Sequence, residues 1–141
     1  MASPSPRYLV DAGPLVAAYL PRDSHHAWSR AVMQGTGAVL YTTETILAEA
    51  AHFLKPAPRS LHALITTVHS GMIRLIPLFP VHLPRVAELI RDYPARADLG
   101  DASLVVLSEL HPRATLITID QRDFSVYRRA DGKAVPCLFP S

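Results

Sequence analysis

Cysteine is nearly absent from this chain: Cys137 is the only one in 141 residues. A lone cysteine excludes an internal disulfide, and no Cys/His zinc spacing surrounds it, so a reducing compartment is expected. Charge is sparse as well. Charged residues make up 18% of the chain and hydrophobic residues 49%, which excludes a disordered, highly charged type. Long apolar runs are missing: there is no uninterrupted stretch of about 18 apolar residues, so no membrane span is expected. The opening MASPSPRYLVDAG has no charged region leading into an apolar one and does not read as a secretory signal. The expected location is therefore the cytoplasm. An excess of one sign of charge is also lacking, and a formal +2 neither requires nor excludes nucleic acid as a partner. The chain shows no internal repeat, low-complexity tract or domain boundary. Its length suits one domain over residues 1–141, with residues 1–6 as a flexible arm.

Short apolar runs alternate with helical patterns. Strands are predicted over residues 8–10, 38–42, 72–76, 115–119 and 135–139, the fourth carried by the β-branched run TLITI. Between them, Pro14 opens a helix to residue 19, and Ser24 is placed to cap a helix over 25–34 that Gly35 and Gly37 end. Thr43 caps a helix to residue 54, and Ser60 caps one through Leu61, Leu64, Ile65 and Val68. Pro84 starts a helix to residue 93, and Asp101 opens one to residue 110. Strands alternating with helices imply an α/β fold with a central parallel sheet covered on both faces.

The acids within this pattern carry the chemistry. Asp11 follows the first strand and Asp120 follows the 115–119 strand, so both should emerge on the same edge of the sheet, where open α/β sheets bind ligands. Taken singly, each also suits a loop or cap. Glu49 lies inside a helix carrying Ile46, Leu47, Ala48, Ala50, Ala51, Phe53 and Leu54, so that helix is expected to be buried between neighbours. A buried carboxylate there is costly unless paired or bound to a metal, and no lysine or arginine precedes Lys55 in the helix. Asp101 opens an equally apolar helix, where the helix dipole alone would favour it; Asp98 is an alternative cap, and Asp123 can form a turn with Asp120. Close carboxylates raise one another's pKa unless a cation lies between them. An oxygen-only cluster suits Mg²⁺ or Mn²⁺ rather than zinc, and such a cation beside a phosphate can activate water.

Four segments, in order, carry a family resemblance: LVDAGPLVAAYLPRDSHHAW, TTETILAEAAHFL, ADLGDASLVVLSEL and ATLITIDQRDFSVY. Together they resemble PIN-domain proteins of the bacterial VapC-toxin type. The resemblance implies a three-layer α/β/α PIN-like fold and Mg²⁺- or Mn²⁺-dependent cleavage of RNA. It implies catalytic and metal-binding roles for Asp11, Glu49, Asp101 and Asp120. Asp98 and Asp123 are accessory candidates, with Thr118 or Thr43 supporting the site by hydrogen bonding. Ala12-Gly13 departs from the family pattern, which often has hydroxyl or amide side chains there. The resemblance further implies a cognate antitoxin protein and a homodimer as partners.

Arg122, Arg128 and Arg129 come after Asp120, with Arg122 and Arg128 as candidate RNA contacts; a solvated basic face explains them equally well. His25-His26 read as surface histidines at a helix start. The Glu49/His52 spacing, familiar from di-iron bundles, lacks the second pair such a site needs. Trp28 and Phe53 read as core or interface residues rather than base-stacking platforms. Two competing functions stay open: a non-catalytic PIN-like module binding RNA or protein, and a phosphoacceptor domain, in which a mid-helix Glu49 has no role.

Overall fold

The computed structural model describes residues 5–141. The expected arm falls largely on residues outside that span, and within it Pro6 is buried. Five short strands form one all-parallel sheet: β1 (Tyr8–Val10), β2 (Leu40–Thr42), β3 (Ile73–Leu75), β4 (Thr115–Ile117) and β5 (Cys137–Leu138). Their spatial order is β3-β2-β1-β4-β5. Helices flank the sheet, which explains why the central strands are apolar on both faces: Leu9, Val10, Leu116 and Ile117 are all fully buried.

The described helices are α1 (Ala12–Tyr19), α2 (His26–Gly35), α3 (Glu44–Leu54), α4 (Pro58–His69), α5 (Leu83–Asp92), α6 (Leu99–Leu110) and α7 (Gln121–Phe124). α6 is the most deeply set; Gly100 and every residue from 102 to 108 are buried, and it packs on α3, α5 and β4. α1 packs on α2, α3 and α4. From β1 the chain builds outward through β2 to β3, then crosses back to lay β4 and β5 on the other side of β1. This reversal opens a crevice beyond the carboxyl ends of β1 and β4, where such sheets bind ligands. The register there is fixed: Val10 pairs with Ile117, and the Asp11 N–H donates to the Ile117 carbonyl at 3.0 Å.

The strands are shorter than their apolar runs suggest, because pairing stops before the run does. Thr118 and Ile119 have already left β4 and lead into the crevice. α2 has His25 rather than Ser24 at its cap, with no side-chain capping bond. α4 starts at Pro58 instead of after Ser60, since a first-turn proline lacks only an N–H that the helix does not use. α6 starts at Leu99, ahead of Asp101, because Asp98 is the cap. α7 was expected as no more than a turn. α3 is also less enclosed than its composition suggests: only the stripe Ile46, Ala50 and Leu54 is buried, while Ala48, His52 and Phe53 face solvent.

Candidate active site at the carboxyl edge of the sheet

Asp11 leaves β1 directly and caps α1. Its Oδ1 accepts the Ala12 N–H at 2.7 Å, and its Oδ2 accepts the Thr118 hydroxyl at 2.8 Å. Only 7% of the residue is exposed. Burial pushes its pKa up to about 6, against the opposing hydrogen bonds from Thr118 and Ala12. Thr118 serves two acids, because its Oγ1 also accepts the Asp120 N–H at 3.0 Å. This residue just past β4 ties the two strand-end acids together.

Asp98 caps α6 by accepting the Asp101 N–H at 2.8 Å. With that duty filled, the Asp101 carboxylate is not the cap and instead receives the Tyr127 hydroxyl on Oδ2. Tyr127 is buried and held edge-on by Tyr93 and Phe124. Burial pushes Asp101 up to about 8; the Tyr127 hydrogen bond opposes this, while the charges of Asp98, Asp11 and Asp120 reinforce it. Gly100 lets α6 approach α3. A Cβ there would lie 3.1 Å from Ile46 Cδ1 and 3.4 Å from both Asp98 Oδ1 and Glu49 Oε1. Glu49 is half-buried, and its pKa is raised by burial and by the charges of Asp98 and Asp11.

Asp120 caps α7 and accepts the Asp123 N–H at 3.0 Å. Its pKa is raised by burial; the Asp123 N–H opposes this and the Asp123 charge adds to it. Carboxylate oxygens of Asp101, Asp120 and Asp123 lie within 4.8 Å of one another. Among the described residues, one ion pair reaches this group: Arg96 Nη1 donates to Asp123 Oδ1 at 2.6 Å. The resulting cleft has a volume of about 490 Å³ and is lined by seven carboxylates: Asp11, Asp23, Glu49, Asp98, Asp101, Asp120 and Asp123. The chain has twelve acids, so five lie outside the cleft, against thirteen lysines and arginines besides Arg96. The small formal charge thus conceals a strongly acidic cleft in a basic molecule. Three oxygens this close, with no nitrogen or sulfur donor among them, form a set that can hold a hard divalent cation.

All four principal acids line this cleft, together with Asp98 and Asp123. The tight oxygen group, however, includes Asp123 and leaves Asp11 and Glu49 at its border. Thr43 lies apart: it caps α3 and hydrogen-bonds Ser103 at 2.9 Å, so it supports the packing of α3 on α6. Arg128 spends Nη1 on the carbonyls of Ser125, Val126 and Tyr127 and does not line the cleft. Arg129 is buried and donates to the carbonyls of Ser108, Pro112 and Ala134, which makes it structural rather than part of a solvated face. Phe53 is 62% exposed and lines the cleft, so it is not a core residue. Trp28 packs partly buried against the core, as expected. His25 also lines the cleft and is more than a surface residue, whereas His26 Nδ1 sits 2.7 Å from the Ala17 carbonyl. Sequence reasoning missed Asp23, Arg96 and Tyr127. Arg96 and Tyr127 reach the acids only through contacts distant in sequence, and no local pattern marks them.

A search of the curated proteins finds no match. Among solved structures, the fold is similar to the crystal structure of Mycobacterium tuberculosis VapC20, a Sarcin-Ricin loop cleaving toxin. The TM-score is 0.70 with 15% sequence identity, over 77% of this chain and 86% of that one. At that identity the likeness speaks for the fold. The family model for the PIN domain matches residues 8–130, a span that runs from β1 past α7 and takes in every acid of the cleft. The chain therefore belongs to the PIN-domain family.

Proposed function

We propose that this chain is a divalent-metal-dependent endoribonuclease, acting as the toxin of a toxin–antitoxin pair. One observation carries the reading: seven carboxylates converge at the switch point of a PIN-domain sheet, with oxygens of Asp101, Asp120 and Asp123 close enough to share a cation. The raised pKa values of Asp11 and Asp101 support it, because burial first, and the neighbouring carboxylates after it, disfavour charged forms that a bound cation would favour. Asp101, Asp120 and Asp123 would hold Mg²⁺ or Mn²⁺, with Asp11 and Glu49 at its border. When bound, such a cation supplies positive charge to a phosphodiester and makes nearby water more acidic.

The protein's own groups orient this chemistry. Thr118 and the Ala12 N–H aim the Asp11 carboxylate, and Tyr127 fixes Asp101. Asp11, Glu49, Asp101 and Asp120 are assigned the catalytic roles, directing water in line at phosphorus and leaving a 3′-hydroxyl and a 5′-phosphate. The likeness to VapC20, a Sarcin-Ricin loop cleaving toxin, supports the toxin reading; an antitoxin partner, a homodimer and action in the cytoplasm are proposed as parts of that reading. No helix among the described residues is long and apolar enough to cross a membrane.

The test is incubation of purified protein with RNA, with Mg²⁺, with Mn²⁺ and with chelator, followed by end-group analysis. Metal-dependent cleavage leaving 5′-phosphates is expected. Ends with a 2′,3′-cyclic phosphate would refute the mechanism, and RNA binding without cleavage would favour the non-catalytic module.

A further inference from the structure

Beside the acidic cleft lies a second concavity of about 340 Å³, lined by Pro94, Ala95, Arg96, Arg122 and Asp123. Asp123 lines both spaces, so the two adjoin at this residue. The two arginines reach this place from separate elements. Arg122 lies in α7 between the site acids Asp120 and Asp123. Arg96 lies in the loop between α5 and α6, where the N–H groups of Arg96 and Ala97 both donate to the Tyr93 carbonyl. Tyr93 in turn packs edge-on against Tyr127, the residue that holds Asp101. The loop is thus fastened to the same scaffold as the site.

Their guanidinium groups are largely unspent. Arg96 places Nη1 on Asp123, and its Nε and Nη2 make no hydrogen bond among the described residues. The Arg122 side chain has no hydrogen bond or ion pair among the described residues, and its charge lowers the pKa of Asp120. Two nearby forks of N–H donors match the oxygens of a phosphate, and arginine suits this geometry better than lysine. An acidic cleft also creates a need for them. A polyanionic strand entering among seven carboxylates is repelled unless cations receive the phosphates on either side of the reacting one.

We infer that Arg96 and Arg122 form a subsite for the RNA phosphate next to the one cleaved, so that the strand leaves the acidic cleft over Asp123. The inference rests on the nuclease reading for the word "next", but the phosphate contact itself can be measured without cleavage. Arg96 then has a second duty: it holds Asp123 while the cleft is free and shares its remaining donors with the incoming phosphate.

The experiment measures binding of a fluorescent single-stranded RNA oligonucleotide by anisotropy, with Ca²⁺ replacing Mg²⁺, at a series of NaCl concentrations. The proteins are the full chain, Arg122→Gln, Arg122→Lys and Arg96→Gln. Arg122→Gln should bind about fivefold more weakly, and its plot of log affinity against log salt should be shallower by about 0.7, the value of one lost single-strand phosphate contact. Arg122→Lys should regain most of the slope, and Arg96→Gln should lose slope in the same way. A melting temperature of Arg122→Gln matching the parent would show that the change is not one of folding. An unchanged slope and affinity in Arg122→Gln overturns the subsite, as does failure of the parent chain to bind RNA. If the parent chain binds RNA without ever cleaving it, while Arg122→Gln still loses slope, the arginine site stands and the nuclease reading falls.

Discussion

Replacing Asp101 by asparagine tests the electrostatics of the cleft without a substrate. The amide keeps an oxygen that can accept the Tyr127 hydroxyl but cannot ionise, so the unfolded chain no longer carries a charge there that folding must neutralise. In the metal-free protein the Asp101 pKa stands at about 8. Each pH unit between an ordinary carboxylate value near 4 and pH 7 costs about 1.4 kcal/mol, or about 4 kcal/mol without screening. Asp101 is half-buried beside an open cleft, and solvent screening brings this down to about 2 kcal/mol. The cap itself survives, because Asp98 supplies it. Asp101→Asn should therefore stabilise the metal-free protein by about 2 kcal/mol at pH 7, a rise of roughly 4–8 °C in melting temperature. The sign with pH follows from the raised pKa. The folded protein binds more protons than the unfolded chain between about pH 4 and pH 8, so this group's contribution is fully present below pH 4 and lost as pH rises towards 8. The gap between variant and parent should be smallest near pH 4, widen to pH 8 and then level off. Melting curves in chelator across pH 4–9 measure this, and millimolar Mg²⁺ or Mn²⁺ should then raise the parent more than the variant. A variant several degrees less stable in chelator, with both proteins equally protected by metal, would refute the reasoning and make Asp101 a structural residue.

Thr118→Val removes the donor to Asp11 Oδ2 and the acceptor for the Asp120 N–H, so stability should fall by roughly 1–2 kcal/mol. The Asp11 pKa should also rise above its present value of about 6, moving the acidic limb of the activity–pH profile to higher pH; an unmoved limb would show that Thr118 does not tune Asp11. Arg129→Met leaves the carbonyls of Ser108, Pro112 and Ala134 without their donor and should cost about 3 kcal/mol by denaturant unfolding. Cleavage per folded molecule should be unchanged in that variant, and a stability equal to the parent's would remove its structural role.

What could be read from the sequence is what depends on neighbours along the chain. TLITI marks β4 through its β-branched run, and Asp11 and Asp120 stand just past strands whose shared direction puts them on one edge. The helix dipole made Asp101 ambiguous, and only the structure assigns the cap to Asp98. α7 escaped because a single turn has no periodicity, so the place of Asp123 in the tight group was hidden too. Composition overstated the burial of α3, since Ala48 and Phe53 count as apolar wherever they point. Tertiary partners were harder to read: the resemblance named Thr118 as a supporting hydroxyl but not its partner Asp11, which lies across most of the chain, and Arg96 meets Asp123 from a different loop. Nothing local separates the buried Arg129 from the exposed Arg122.

The most direct test of the acidic cleft as a nuclease site is Mg²⁺-dependent RNA cleavage by Asp11→Asn, purified beside the parent chain and checked for an intact fold by circular dichroism. Asparagine keeps the shape of this buried residue and loses the charge that faces the other acids. The parent should cleave RNA only with metal, and the folded variant should lose at least a hundredfold in rate, about 2.7 kcal/mol of transition-state stabilisation. Full metal-dependent cleavage by the folded Asp11→Asn protein would contradict a catalytic role for the cleft.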